Sequence, residues 1–286
     1  MFVLPESPSL EEVGSYYDRF DAHYRALWGN HLHHGYWEET TPSTEAAKTK
    51  LLDLSARWLQ LESNHSLIDI GCGYGESGRY LSARFGCSVL GLTLSEKQFE
   101  KGTELSRLSR STQTRIERAD FMSWSRNPRK ADAALSLECL CHIANKGQFF
   151  KQLAQTLKPN SRAVITFLAA TERGSRFFQR ILISPLCQSA KFPTLAEVAD
   201  IEPWVQAANL RVISSQNLTP KVQRTWMAIA LKALQNTTLL KSAVPDRIPL
   251  GRAELGMSLS AVRLLCAYWL GAIQYRFLVV EAPSPS

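Results

Sequence analysis

Residues 67–75 read LIDIGCGYG, a short apolar run that leads into glycines at every second position. The pattern predicts a buried β-strand, a tight turn and a helix that begins near Glu76. Glycine lets the main chain turn sharply and lets a ligand approach it closely. The first N–H groups of the following helix lack partners inside the helix, so they are free to bind that ligand. The stretch therefore predicts a strand–loop–helix binding site.

Strand and helix patterns alternate after this stretch. Strands are predicted at 88–92, 115–119, 133–137, 163–168, 211–216 and 274–280, and helices at 95–108, 146–157 and 194–208. Pro159 and Asn160 predict the turn before the fifth strand, since asparagine accepts the left-handed backbone conformation. Alternation of this kind predicts an α/β fold with a doubly wound, mainly parallel, seven-stranded sheet.

Three regions are predicted along the chain. Residues 1–62 form an N-terminal helical lid segment with helices at 9–27 and 43–61, and residues 63–168 form the α/β core that binds the cofactor. Residues 169–286 complete the sheet and carry lid insertions at about 170–193 and 220–256, where residues 220–270 are mostly helical with a break at 245–249. Ligands of open α/β sheets bind at the carboxyl edge of the strands, so we expect the lid there.

Composition excludes several classes of protein. The chain has 286 residues, a net charge of +7 and six cysteines, with no Cys-x-x-Cys pair. The basic residues form no dense run interleaved with aromatics, which argues against a nucleic-acid partner. The N-terminus lacks a signal-peptide pattern, and the apolar stretch 264–280 is too short to span a bilayer. We expect a cytoplasmic protein with free thiols; peripheral membrane contact and the oligomeric state stay open.

The glycine pattern alone leaves more than one function open. Gly73, Gly75 and Gly78 also fit the dinucleotide pattern G-x-G-x-x-G, which would make the chain a nicotinamide-dependent oxidoreductase. That pattern expects an acidic residue about 20 positions further on, to bind a ribose hydroxyl. The second strand ends instead in GLTLS, residues 91–95. A noncatalytic cofactor-binding protein with the same fold is the other alternative.

Four segments resemble the class I S-adenosylmethionine-dependent methyltransferases. Residues 69–75 look like their first motif, and 91–98 (GLTLSEKQ) are similar to the second-strand segment of the tocopherol, sterol and cyclopropane-fatty-acid branch. Residues 157–160 (LKPN) resemble the turn before the fifth strand of these enzymes. Residues 28–37 (WGNHLHHGYW) resemble a segment of tocopherol methyltransferases. The resemblance implies S-adenosylmethionine as cofactor. It also implies a small lipophilic acceptor, such as a phenol, an isoprenoid or a specialised metabolite, methylated at carbon, oxygen or nitrogen.

The resemblance assigns cofactor-binding roles to residues of the core. It places a first group of residues on the methionine part of the cofactor, a second group around the ribose and adenine, and a third group where the family contacts the adenine. These are Asp69, Gly71, Gly73 and Gly75; then Thr93, Leu94 and Gln98; then Asp120 and Phe121. Tyr36 and Trp37 are expected near the sulfonium, because a cation is attracted to aromatic faces.

Catalytic candidates follow the fourth strand in LECLCH, residues 137–142, which is similar to the family's E-S-x-x-H segment. His142 is the candidate general base, because neutral imidazole accepts protons at cellular pH, and Glu138 accompanies it. Tyr17, or its neighbour Tyr16, is expected to pair with His142. The alternative is that the histidine caps a loop and the tyrosines are core packing.

Aromatic residues outside the strand–helix alternation are expected to line the substrate chamber. The expected lining residues are Tyr16, Tyr17, Trp37, Phe177, Phe178 and Trp226. The histidines at 31, 33 and 34, and the cluster Cys139, Cys141 and His142, lack the spacing of metal ligands, so no metal is expected.

Overall fold

The computed structural model describes residues 2–4, 7–109, 113–124, 131–172, 178–243 and 252–284. Its strands are β1 (Phe2–Val3), β2 (Ser66–Ile70), β3 (Ser88–Thr93), β4 (Thr114–Arg118), β5 (Ala131–Leu137), β6 (Leu157–Ala170), β7 (Thr194–Glu197), β8 (Arg211–Asn217) and β9 (Ile273–Glu281). Its helices are α1 (Leu10–Trp28), α2 (Thr44–Leu59), α3 (Glu76–Phe85), α4 (Glu96–Leu108), α5 (Lys146–Thr156), α6 (Ser184–Ser189), α7 (Val198–Ala207), α8 (Thr219–Ala243) and α9 (Arg252–Trp269). The predicted break at 245–249 lies outside the described residues.

The sheet is doubly wound, as predicted. Its main path runs β4-β3-β2-β5-β6-β9-β8, and β9 pairs antiparallel with both β6 and β8, whereas β2 to β6 pair in parallel. The mainly parallel, doubly wound sheet is confirmed, and β1 and β7, which pair beyond the end of β6, raise the number of described strands from the predicted seven to nine. Because β2 lies between β3 and β5, the order of strands reverses there. A crevice opens at such a point, at the carboxyl ends of the strands.

Two local predictions need correction. Residues 194–197, predicted as the start of a helix, form the strand β7, which pairs with β1 and with the end of β6. The strand predicted at 163–168 is β6, which begins at Leu157. It contains Asn160, whose φ of 62° is the left-handed conformation expected of that residue. Pairing partners remote in the sequence decide both cases, and no local pattern encodes them.

Helices cover both faces of the sheet. Leu51, Leu52 and Leu81 of α2 and α3 pack in one apolar cluster with residues of α9. Phe149 of α5 and Val205 of α7 belong to a second cluster. Both clusters contain fully buried strand residues, which is typical of a parallel sheet covered on both sides.

Helix α1 lies against the carboxyl edge of the sheet. The Asp18 carboxylate accepts hydrogen bonds from the Ser95 hydroxyl and from the backbone N–H of Lys97, at the start of α4. The Tyr74 hydroxyl donates to Asp21 Oδ1 at 2.6 Å. These bonds fix α1 over the glycine loop. Among the described helices, none is long and apolar enough to cross a membrane.

Candidate active site

A cavity of about 490 Å³ opens at the carboxyl ends of β2, β3 and β5. The structure brings most of the sequence-predicted residues to its wall: Tyr16, Tyr17, Asp69, Gly71, Gly73, Thr93, Leu94, Gln98, Glu138, His142 and Trp226. Further wall residues come from α1, from residues 30–34, from the segment around α6, and from α8 and α9.

The glycine loop forms one end of the cavity. Gly71, Gly73 and Gly75 have φ values of 76°, 56° and 72°, a conformation that side chains disfavour. A Cβ atom on Gly71 would lie 2.6 Å from Cys139 Sγ, whereas one on Gly73 would find only Leu32, at 3.5 Å. Packing therefore requires glycine at 71, and at 73 the missing side chain leaves room in the cavity.

Asp69 and the end of β3 supply polar atoms at the same end. Asp69 is buried, and its Oδ2 has no hydrogen-bond partner among the described residues. Burial raises the pKa of this carboxyl group to about 7. The Thr93 hydroxyl donates to Gln98 Oε1 at 2.8 Å. An orphaned carboxylate oxygen needs a donor, and the ammonium group of S-adenosylmethionine would provide one. The residues present therefore fit this cofactor.

Tyr17 and His142 meet in the cavity wall. The Tyr17 hydroxyl lies 2.8 Å from His142 Nε2, and His142 Nδ1 lies 3.3 Å from the Lys191 carbonyl oxygen. A carbonyl only accepts, so Nδ1 carries the imidazole proton and Tyr17 donates to Nε2. Burial lowers the pKa of His142 to about 4 and raises that of Tyr17 well above its ordinary value. At neutral pH the pair therefore consists of a neutral imidazole, with Nε2 free of a proton, and a neutral phenol that donates a hydrogen bond to it.

Glu138 is held by a cluster of hydrogen bonds that we call the clasp: Glu138, His34, Trp226 and Tyr275. Glu138 Oε1 accepts from His34 N at 2.6 Å, from His34 Nδ1 at 2.7 Å and from the Tyr275 hydroxyl at 2.9 Å. The Trp226 indole N–H donates to His34 Nε2 at 2.6 Å. Because indole is only a donor, His34 must be neutral with its proton on Nδ1.

The backbone of Glu138 is also unusual, since its φ of 59° is rare for a residue with a long side chain. Burial acts to raise the pKa of Glu138, but the hydrogen bonds donated by the His34 side chain and backbone act in the opposite direction and hold the pKa below its ordinary value. The clasp therefore keeps an ionised carboxylate in the cavity wall.

The expectation that Tyr36 and Trp37 line the cofactor site is not met. Neither ring lies in the wall of the cavity. The Trp37 indole N–H donates to Thr225 Oγ1 at 2.9 Å, and the Arg224 guanidinium lies 4.5 Å from the ring centre. Lys221 faces the Tyr36 ring at 6.0 Å. These aromatic side chains join the N-terminal segment to α8 instead.

Four other expected site residues also lie outside the wall. Phe121 is buried in the core, with its ring 5.5 Å from that of Phe149. Asp120 Oδ1 accepts from the backbone N–H of Met122 in a turn. Gly75 precedes α3, where a Cβ atom would meet Ile116 at 2.5 Å. Phe178 packs against the apolar core. Phe177 lies outside the described residues.

Sequence reasoning missed the clasp. The sequence places His34 in the aromatic and histidine segment 28–37 and Tyr275 in the predicted strand 274–280, and it assigns neither side chain a role in the site. The contacts of Glu138 span 104 residues to His34 and 137 to Tyr275, so no spacing pattern could indicate them. The one available signal was the aromatic and histidine segment itself. Within the described part of the chain, no group of three or more ligating side chains could hold a metal ion.

A doubly wound sheet, a glycine loop with an orphaned Asp69, and a β3 that ends in threonine instead of an acid define the class. The protein is a class I S-adenosylmethionine-dependent methyltransferase.

Comparisons with known proteins agree. The sequence model of the family described as mycolic acid cyclopropane synthetase matches residues 5–248. The chain is 33% identical over 159 residues to 27-O-demethylrifamycin SV methyltransferase of Amycolatopsis mediterranei (strain S699), covering 55% of this chain and 58% of that relative. It is 22% identical over 289 residues to tocopherol O-methyltransferase of Arabidopsis thaliana, covering 95% and 82%.

The fold is that of a solved mycolic acid cyclopropane synthase in complex with S-adenosylhomocysteine and CTAB. The TM-score is 0.83 at 18% identity, over 96% of this chain and 99% of that one. The chain belongs to the mycolic acid cyclopropane synthetase family. The nicotinamide-dependent alternative is not supported.

Proposed function

We propose that the enzyme transfers a methyl group from S-adenosylmethionine to the hydroxyl oxygen of a small lipophilic molecule. One observation carries the proposal: a buried, unprotonated His142 already accepts a hydrogen bond from a hydroxyl group, that of Tyr17. A hydroxyl acceptor needs a base in this position, because its proton must leave as the new bond to oxygen forms. The names of relatives that methylate oxygen, such as the tocopherol enzyme, support the same reaction.

The residues of this chain have distinct parts in the reaction. The cofactor supplies a methyl group bonded to a positively charged sulfur. The acceptor hydroxyl would replace the Tyr17 hydroxyl at His142 Nε2, and the imidazole would take its proton as the C–O bond forms and the C–S bond breaks. The positive charge of the sulfonium thus passes to the imidazole. The low pKa of His142 keeps it unprotonated, and the activated donor makes a weak base sufficient.

Asp69, the glycine loop, Thr93 and Gln98 would hold the cofactor. Leu94 lies between them in the wall. We propose that residues 1–62 and the insertions near 170–193 and 220–256 are a lid over the α/β core at 63–168. Wall residues from α1, α8 and the segment around α6 support this division. The wall also includes Ser260, Ala261, Val262, Leu264 and Leu265 of α9, so we extend the proposed lid beyond the predicted insertion. A closed chamber excludes water from the reacting groups.

Methylation of carbon is a second candidate. Tyr17, Tyr24, Trp28 and Trp226 line the cavity, and aromatic faces stabilise a developing carbocation. A cytoplasmic location and a place in specialised metabolism complete the proposal; the rifamycin relative supports the latter.

Mass spectrometry tests the proposal. Purified protein is incubated with S-adenosylmethionine and a panel of phenols, hydroxylated isoprenoids and long-chain alcohols, each matched with the analogue that lacks the hydroxyl group. We expect methyl ethers from some hydroxylated members and no product from the matched analogues. Products that keep a free hydroxyl and gain a methyl on carbon would favour the second candidate. Cofactor binding without any methylated product would overturn both.

A further inference from the structure

Three polar atoms of the cavity wall share one property. Asp69 Oδ2 and His33 Nε2 are buried and have no hydrogen-bond partner among the described residues. His33 Nδ1 lies 2.8 Å from the carbonyl oxygen of His34, so it carries the proton and Nε2 is an acceptor. His142 Nε2 is an acceptor for the same reason. The Asp69 carboxylate oxygen and these two imidazole nitrogens therefore act as hydrogen-bond acceptors in the wall.

Charge in the wall has a single sign. The described lining residues include the carboxyl groups of Asp69 and Glu138 but no lysine or arginine. An anionic group on an acceptor molecule would therefore find no lysine or arginine among the described residues of the wall to neutralise it. It would also face an ionised carboxylate in a poorly hydrated space, where like charges repel more strongly than in water.

The clasp fixes the orientation of the Glu138 carboxylate, a charged group of the wall beside the proposed acceptor position at His142. Its three donors all bond Glu138 Oε1, and Oε2 makes no hydrogen bond to any described residue. The Glu138 side chain is 19% exposed, in the wall of the cavity close to the Tyr17–His142 pair. Three bonds on one oxygen, together with the left-handed backbone, hold the other oxygen available to a ligand.

We propose that the acceptor subsite takes an uncharged, hydroxyl-bearing lipophilic molecule and rejects carboxylates and phosphates, with Glu138 as the specificity-determining residue. The proposal rests on the proposed function, whose reaction needs a hydroxyl donor at His142. It narrows the substrate class, because a tail that ends in a carboxylate or a diphosphate is excluded from the inner end of the cavity.

Two probes with the same tail test the inference: para-heptylphenol, which is uncharged, and para-heptylbenzoate, which is an anion at neutral pH. Each is titrated into the protein with and without S-adenosylhomocysteine. We expect the phenol to bind at least about tenfold more tightly than the benzoate. In Glu138→Gln the difference should shrink to about threefold or less, since the amide keeps the acceptor for the clasp and removes the charge.

Glu117→Gln is the matched control. Glu117 lies on β4, and its carboxylate accepts a hydrogen bond from the Trp124 indole N–H at 3.2 Å. Because Glu117 does not line the cavity, this variant should keep the preference for the phenol. Unchanged affinity for S-adenosylhomocysteine shows that Glu138→Gln is folded. A third probe, para-heptylbenzylammonium, is tested on the wild-type protein alone. Because it is a cation, it should bind more tightly than the benzoate.

Equal binding of the phenol and the benzoate to the wild-type protein would overturn the inference. A preference that survives in Glu138→Gln would remove Glu138 as its cause. Failure of S-adenosylhomocysteine to bind counts against the proposed function alone, because the probes are also compared in its absence.

Discussion

The two ends of the cavity are built in different ways. The glycine-loop end uses residues 69–98, a continuous piece of chain in which strand, loop and helix follow one another. The acceptor end joins Tyr17, His34, Glu138, Trp226 and Tyr275, which come from five separate segments. Local backbone conformation therefore shapes the cofactor end, and long-range hydrogen bonds shape the acceptor end. Substitutions at the two ends should differ accordingly.

The largest effect is expected at the cofactor end. Gly73→Val should abolish binding of S-adenosylhomocysteine, because a branched side chain disfavours a φ of 56° and would occupy the cavity. Calorimetry measures the loss. Gly147→Val on α5 is the control, since its Cβ would lie 3.5 Å from Trp204 and 3.7 Å from Asn145 Oδ1, which are ordinary contacts outside the cavity. A folded Gly73→Val protein that binds normally would contradict the role of the loop.

His142→Ala should separate the two ends. We expect turnover to fall by about 10²–10⁴-fold, the usual scale for loss of a general base, with cofactor affinity nearly unchanged. In the wild-type protein the imidazole is unprotonated above its pKa of about 4, so kcat/KM should fall only as the pH drops through that range. Initial rates over a pH series measure both. Full activity of the variant would leave His142 a structural role.

Trp226→Ala should affect only the acceptor end. The indole forms part of the wall and donates to His34, so we expect acceptor affinity to fall by about three- to tenfold while cofactor affinity stays the same. Trp269→Ala is the control, because that side chain is 67% exposed. Phe178→Ala should lower thermal stability without this effect, since Phe178 packs against the core. Equal loss of cofactor binding in Trp226→Ala would erase the distinction between the two ends.

The smallest effect concerns pH and stability. Burial lowers the pKa of His31 to about 2 and those of His33 and His142 to about 4, all from 6.5. Between these values the unfolded chain binds more protons than the folded one, so stability is fully present above about pH 6.5 and is lost as the pH falls. Asp69 acts in the opposite direction, because its pKa is raised from 3.8 to about 7.

His33→Asn tests this directly. The free energy of unfolding should depend less steeply on pH between about 4 and 6.5, by about one proton or roughly 1.4 kcal/mol per pH unit. Denaturant titrations across this range measure the slope. An unchanged slope would mean that His33 is protonated in the folded protein.

Much of the α/β core could be predicted because its signals are local. The apolar strand before Gly71, the serine caps of α2 and α4, and the αL conformation of Asn160 each depend on a few neighbouring residues. The strand β7 could not be predicted, since its four residues gain their strand conformation by pairing with β1 at the other end of the chain. The position of Trp37 could not be predicted for a related reason. The motif at 28–37 identifies the aromatic side chain, but the packing of α8 against it decides that it lies outside the cavity wall.

By itself, the sequence determined the fold class and the glycine loop, because strand periodicity and positive-φ glycines act within a few residues. The methyltransferase chemistry was implied by the resemblance of residues 69–75 and 91–98 to a known family. Only the tertiary structure decided which tyrosine meets His142, which oxygen of Glu138 stays free, and which aromatic residues line the cavity. Those outcomes depend on hydrogen bonds between segments more than 100 residues apart, and packing of the whole chain sets their geometry.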